Sequence, residues 1–480
     1  MNTASRAVAR ILIWRPVLLA VYLASMVILA RLLDPAAFGA FAIAAAVFWF
    51  ADTLIDFGIS AHLFRDPDTA LPPDRLGAAL GLWWATTFGT AVLVAAMAWT
   101  TGYWGWITGV SEALWIILLA LPFAPLIKLR ETRALRALDT SVLAWLPVAG
   151  AVAGLAVSVT GALWGLGASA LAAGLVAERA TLFVVLAAVF RESAKVRPQA
   201  SGWAPLIRFG SAFTATTLLP KITDVARLSI VGATLGAASL GVLNRALQVA
   251  NLNDRVVLEA VLPVAMPVMA DAMRGGATAQ EVYATKIDYL AALCWPAALA
   301  IIVLAEPLVL VLLGPTWAEA IVPVQILAAG ALTYPVNRMS AKFFALVGLE
   351  RPMLRIQIIQ QGVLLILMGI GAFHSLAAVC LAIVTAQAAK ALQVTIVLKR
   401  HVPADRAALR AAVGRGMAIA AATAIGPGIA VHALPIDGAA GQLALGLVMG
   451  TAGWIGGVAV TRHRLGAQLW ALRKGFAGAA

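Results

Sequence analysis

Stretches of some 20 apolar residues recur along this chain, near 14–33, 38–63, 76–100, 113–128, 141–160, 164–190, 206–231, 238–270, 285–313, 318–345, 354–371, 376–398, 411–432 and 442–461. A helix rises about 1.5 Å per residue, so each run can cross the roughly 30 Å hydrocarbon core of a bilayer. Repetition on that scale excludes a soluble fold. Only 12% of the 480 residues are charged, against about 25% in soluble domains. The alternating pattern of a transmembrane barrel is absent. The expected fold class is therefore an all-α polytopic membrane protein with about 14 transmembrane helices. The first run follows Arg6, Arg10 and Arg15. It is too long for a signal peptide and lacks a clear cleavage site, so it reads as a retained membrane helix.

The net charge of +13 does not point to nucleic acid, because the basic residues sit at the ends of apolar runs. They occupy alternate connections: Arg65 and Arg75; Lys128, Arg130, Arg133 and Arg136; Arg191, Lys195 and Arg197; Arg274; Arg351; then Lys399 to Arg410 and the tail from Arg462. The intervening connections hold no Lys or Arg. The positive-inside rule then places both termini in the cytoplasm. Tyr103, Trp104, Trp106 and Trp317 fall at the opposite interface and are expected in an aromatic belt. Cys294 and Cys380 lie inside apolar runs and imply neither a disulfide framework nor a metal site.

Two stretches recur. "LLDPAAFGAFAIA" aligns with "TLGAASLGVLNRA", matching Gly39 to Gly241 at an offset of 202. "ALRALDTSVLAW" aligns with "ALVGLERPMLRI", matching Leu138 to Leu349 and Asp139 to Glu350 at an offset of 211. Residues 1–200 and 201–400 read as two six-helix lobes, and 401–480 as two additional helices with a cytoplasmic tail. An even number of helices makes the lobes parallel repeats, around a central cavity in which substrate binds.

No P-loop, kinase motif set or H-E-x-x-H helix is present, so no nucleotide hydrolysis is encoded. No cofactor or metal is expected, and the chain does not read as an enzyme. What remains is the set of polar residues at membrane depth, which mark pathways because lipid-facing placement is costly. "LLPKITDVARLSI" carries Lys221, Asp224 and Arg227 at spacings of three, just after Pro220, where a kink is expected. The next run aligns Asn244, Gln248, Asn251 and Arg255 in one stripe, with Arg245 and Asp254 on its shoulders. Arg338, beside Asn337, adds a cation on the tenth helix. Guanidinium groups match phosphate oxygens, and amides both donate to and accept from sugar hydroxyls. The candidate substrate-binding set is Lys221, Arg227, Arg255, Asn244, Arg245, Gln248, Asn251 and Arg338. Asp52 and Asp56, one turn apart with Trp49 on the same face, and Asp224 are the ion-coupling candidates. Serving as a structural counter-ion is the rival reading for Asp224, capping or pairing near the cytoplasmic half is the rival for Asp52 and Asp56, and snorkelling to the interface is the rival for Lys342 and Lys390. Whether Lys221 or Arg227 is free of Asp224 stays open.

"ARLLDPAAFGAFAIA" followed by "DTLIDFGISAHLFRD" resembles the opening of polysaccharide-transport (Wzx-type) flippases of the multidrug/oligosaccharidyl-lipid/polysaccharide (MOP) exporter superfamily. "LIRFGSAF", "IVGATLGAASLGVLNRALQV", "LLGPTWAEAIVPVQILA" and "ALVGLERPMLRI" are similar to later landmarks, so the resemblance covers about residues 10–400. The chain departs from the family pattern at Val242 and Leu243. The resemblance implies translocation of an undecaprenyl-pyrophosphate-linked oligosaccharide across the bacterial inner membrane, for exopolysaccharide, capsule or O-antigen synthesis. The implied partners are that substrate and membrane lipids, with a polysaccharide polymerase as a further candidate and no nucleic acid. A cation-coupled multidrug-type exporter and a peptidoglycan-precursor flippase are the alternatives on the same fold.

Overall fold

The computed structural model describes residues 3–66, 71–105, 107–137, 141–191, 196–252, 254, 268–402 and 405–466, with the backbone alone for 3–12, 212, 215 and 216. The described residues form helices and no strands. Thirteen helical segments among them are long and apolar enough to cross a membrane. The remaining expected run, 238–270, starts inside one of these segments and continues largely outside the described residues. The protein is an all-α, multi-pass membrane protein.

Contacts divide the chain into two compact units, Met1–Gly241 and Val242–Ala480. The first contains α1 (Thr3–Leu32), α2 (Pro35–Asp56), α3 (Ile59–Arg65), α4 (Pro73–Trp104), α5 (Val110–Leu118), α6 (Ala124–Arg136), α7 (Ser141–Leu163), α8 (Ala168–Val189) and most of α9 (Trp203–Ala250). The second contains the end of α9, then α10 (Ala279–Val303), α11 (Ala305–Leu312), α12 (Ile321–Ala329), α13 (Tyr334–Asn337), α14 (Ser340–Leu346), α15 (Glu350–Ala372), α16 (Leu376–His401), α17 (Arg406–His432) and α18 (Ala439–Val460).

Helix starts follow local chemistry. Asp34 accepts from the Ala37 amide at 2.8 Å, and Pro35 occupies the first turn of α2, where no intrahelical donor is needed. Thr278 and Glu281 form a reciprocal capping box at α10. Within each unit, helices approach closely through small residues, as apolar surface alone gives little drive for association in lipid. A Cβ on Gly154 would lie 2.9 Å from the Gly174 carbonyl oxygen, between α7 and α8. One on Gly453 would lie 2.3 Å from that of Ala422, between α17 and α18.

Gly39 and Gly241, matched by the sequence repeat, lie against each other. A Cβ on Gly39 would sit 1.8 Å from the Ala237 carbonyl oxygen, and one on Gly241 would sit 1.8 Å from that of Pro35. Pro35 and Ala237 are themselves 202 residues apart, so the contact is reciprocal, as in packing about a local two-fold axis.

Several sequence expectations need correction. Dihedral angles stay helical through Pro220, and α9 instead breaks at Gly236 (φ 84, ψ 170), where glycine avoids the Cβ clash of positive φ. The fourth run is broken after α5 by a 3₁₀ turn at Leu121–Phe123 and continues as α6. The tenth run, expected as one helix, is split into α12, a 3₁₀ turn at Gly330–Thr333, α13 and α14. Trp317 is fully buried in the second unit rather than in a belt, because the turn at Gly314 (φ 99) leads into a 3₁₀ segment. Tyr103 and Trp104 are exposed as expected, and Trp106 lies outside the described residues.

Candidate functional site

Each unit carries a polar cluster beside an interrupted helix. In the first unit, α2 stops at Phe57 and Gly58, both with positive φ. Its last turns carry Asp52 and Asp56. The Lys128 ammonium, from α6, lies 3.2 Å from Asp52 Oδ2 and 3.9 Å from Asp56 Oδ1. Ser60 Oγ donates to Asp56 Oδ1 at 2.5 Å. Both carboxylates are thus paired, which is the rival reading that the sequence left open. A small cavity of about 100 Å³ adjoins them, lined by Asp52, Lys128, Glu131 and Arg179 among others. The Arg179 guanidinium lies over the rings of Phe48, at 5.0 Å, and Trp49, at 5.1 Å. These cation–π contacts neutralise no charge.

The charged stretch on α9 also lies in the first unit. Arg227 Nη2 reaches Asp224 Oδ1 at 3.0 Å. Lys221 has no hydrogen bond or ion pair with any described residue. The question of which cation is free therefore has an answer within this stretch: Lys221.

In the second unit the polar stripe is knitted together along α9. Arg245 Nη1 donates to Gln248 Oε1 at 2.7 Å, and Gln248 Nε2 donates to Asn244 Oδ1 at 2.8 Å. Arg245 is buried, and further down the stripe Asn251 Oδ1 accepts from the Tyr334 hydroxyl at 3.1 Å. Arg255 lies outside the described residues. Asp254, on the shoulder of the stripe, pairs with Arg338 Nη2.

Arg338 sits where α13 ends. Its backbone is extended (φ −71, ψ 140), and Met339 follows in the left-handed region (φ 60). Such a break frees backbone carbonyls, which must find partners when water is scarce. Here side chains supply them. Trp295 Nε1 donates to the Leu332 carbonyl at 2.8 Å, Lys286 Nζ to that of Val336 at 3.1 Å, and Ser340 Oγ to that of Asn337 at 2.8 Å. The Asn337 amide spans Thr333 Oγ1 at 3.0 Å and the Gln387 carbonyl at 2.9 Å. The Arg338 guanidinium covers the Tyr334 ring at 4.2 Å. Lys390 lies within electrostatic reach of Arg338 and has no hydrogen bond or ion pair with any described residue. Two cations, Arg338 and Lys390, thus lie near one another, and Arg338 pairs with the one carboxylate, Asp254. Arg338 Nε and Asp254 Oδ1 are buried without a hydrogen-bond partner.

A family model described as polysaccharide biosynthesis protein matches residues 28–322, more than half of the chain. The chain belongs to that family. No curated protein sequence matches it closely enough to count as a relative. Among solved structures it is similar to the lipid II flippase MurJ in an inward closed conformation, with a TM-score of 0.72 at 12% identity, covering 96% of this chain and 99% of that one. It is also similar to an inward-facing multidrug resistance MATE transporter of the MOP superfamily, with a TM-score of 0.58 at 14% identity, covering 81% and 94%. An outward-facing MATE transporter gives a TM-score of 0.52 at 14% identity, covering 85% and 97%. At these identities the likeness shows the fold alone.

Several members of these clusters carry little sequence signal. Lys128 reads as one more basic residue in a cytoplasmic connection, and Glu131 is marked only by its spacing of three from Lys128 on α6. Lys286 falls at the edge of the expected run 285–313, although Thr278 and Glu281 mark the start of α10. Asp288, buried between Arg415 at 2.9 Å and His463 at 3.1 Å, links three segments and has no local signal at all.

Proposed function

We propose that this protein is a flippase that moves an undecaprenyl-pyrophosphate-linked oligosaccharide across the bacterial inner membrane by alternating access, in exopolysaccharide, capsule or O-antigen synthesis. The observation that carries the reading is the cationic cluster at the break after α13. Interrupted helices mark substrate sites in transporters, and partly buried guanidinium and ammonium groups suit a pyrophosphate. Arg338 and Lys390 supply the charge, Lys221 adds an unpaired ammonium in the first unit, and Arg255 is assigned to the same role. Asn244, Gln248 and Asn251 form a hydrogen-bonding edge for sugar hydroxyls, and Arg227 and Arg245 set the positive field around it. The repeats 1–200 and 201–400 act as the two lobes, with 401–480 as an added helix pair. The reciprocal Gly39–Gly241 packing supports that arrangement. Both termini face the cytoplasm on the positive-inside pattern, and a polysaccharide polymerase is the natural receiving partner. Asp52, Asp56 and Asp224 belong to the ion-coupling apparatus in this reading.

The test uses the full chain in proteoliposomes holding a fluorescent undecaprenyl-pyrophosphate oligosaccharide, with exposure in the outer leaflet read by chemical quenching. Wild-type protein accelerates transbilayer movement and Arg338→Ala abolishes it. Equal rates in both would defeat the assignment. The likeness to the lipid II flippase fold gives a second reading, a peptidoglycan-precursor flippase. Restored growth of a cell lacking its lipid II flippase would favour that reading, and restored surface polysaccharide in a polysaccharide-flippase mutant would favour the first.

A further inference from the structure

Around the cavity of the first unit the charges do not balance. Asp52 and Asp56 on α2 and Glu131 on α6 supply three carboxylates. Lys128 on α6 and Arg179 on α8 supply two cations. Lys128 is committed to Asp52 and Asp56. Glu131, partly buried, has no hydrogen bond or ion pair with any described residue. Arg179 Nε is buried and equally without a hydrogen-bond partner. Both side chains face the same small cavity without touching each other. Glu178, the neighbour of Arg179, packs instead against Gly150 and Gly154 of α7. The volume of about 100 Å³ has room for a few waters, each with a liquid share of about 30 Å³.

We infer that Glu131 is the group in the first unit that loads and releases a proton during the transport cycle, through water held between it and Arg179. The inference rests on the transporter reading. With Glu131 ionised the cluster carries one uncompensated negative charge, and with Glu131 protonated it is neutral. Uptake of one proton from water converts the carboxylate to a carboxylic acid, and release reverses the step. Asp52 and Asp56 are each already paired with Lys128, which leaves Glu131 as the uncommitted carboxylate. A sodium ion fits less well. It would need several free oxygens and would lie against two cations, whereas Glu131 supplies the one uncommitted carboxylate. Asp52 and Asp56 thus become the fixed charges of the site, and Glu131 the movable one.

Infrared difference spectroscopy of the purified full chain on acidification tests this directly. The expected result is a carboxylic-acid carbonyl band in wild type that is lost in Glu131→Gln, shifted but present in Glu131→Asp, and kept in Asp52→Asn. A wild-type band that survives in Glu131→Gln overturns the inference, as does a sodium-induced spectral change at fixed pH that requires Glu131. Size-exclusion profiles and the Glu131→Asp protein guard against misfolding as the cause of a lost band. Vesicle flipping then tests the transporter reading separately. If Glu131→Gln loses the band and the flipping of wild type responds to a pH gradient, both stand. If the band is lost but wild type flips no substrate under any gradient, Glu131 titrates and the transporter reading fails.

Discussion

In the first unit the helix interruption at Leu121–Phe123 is followed by Lys128 and Glu131, and the nearby cluster holds three carboxylates against two cations. In the second unit the interruption at Gly330–Thr333 is followed by Arg338, and its cluster holds two cations, Arg338 and Lys390, against one carboxylate, Asp254. The 3₁₀ turns begin 209 and end 210 residues apart, close to the offset of 211 between the sequence landmarks that follow them. Similar backbone devices have thus been given opposite electrostatic signs. A cavity with a surplus carboxylate suits a proton, and a helix break ringed by Lys and Arg suits a phosphorylated substrate. Interrupted helices at nearly matching sequence offsets thus carry clusters of opposite charge, because side chains, not helix order, set the sign of the field.

Four substitutions would break or sharpen that contrast. The largest effect is expected from Lys128→Ala. It leaves three carboxylates facing only Arg179 and should cost about 3 kcal/mol, since one ammonium serves two part-buried carboxylates. Thermal unfolding in detergent would measure this, and Asp52→Asn in the same chain should recover part of the loss. No recovery would mean that the cluster is not held together by charge. Arg338→Ala should lower flipping by roughly 100-fold or more, equivalent to about 2.7 kcal/mol. Adding Asp254→Ala should restore thermal stability but not flipping. If the double variant flips normally, Arg338 serves only to neutralise Asp254. Lys221→Ala should leave the unfolding temperature unchanged, since no described partner is lost, while slowing flipping by about tenfold, or about 1.4 kcal/mol. An unfolding shift without a transport defect would reassign Lys221 to structure. Arg227→Ala should be the mildest. Its partner Asp224 has 42% of its side chain exposed, so the loss should stay under about 1 kcal/mol.

Much of this was visible in the residues. The long apolar runs dictate membrane helices wherever they occur, and Asp34-Pro35 and Thr278-x-x-Glu281 mark helix starts by local hydrogen bonding alone. Gly39 and Gly241 could be matched by alignment, although only coordinates reveal that they touch each other. The candidate sites were legible in part. Lys221, Asp224 and Arg227 stand out because charge in an apolar run is expensive, and Arg338 stands out beside Asn337. The partners that give them meaning are distant in sequence. Lys128 meets Asp52 across 76 residues, and Arg338 meets Asp254 across 84.

By itself the sequence determined the membrane class, the approximate helix set and the residues too costly to face lipid. Those follow from local quantities: run length, transfer cost and the distribution of Lys and Arg. Only the tertiary structure decided which of those charges are already neutralised. It paired Arg227 rather than Lys221, committed Asp52 and Asp56 to Lys128, and left Glu131 and Lys390 without ion-pair partners among the described residues. It also decided that the tenth run breaks at Arg338, where Trp295, Lys286 and Ser340 take up the freed carbonyls. Charge compensation depends on distances across helices, and a linear chain carries no record of those until it has packed.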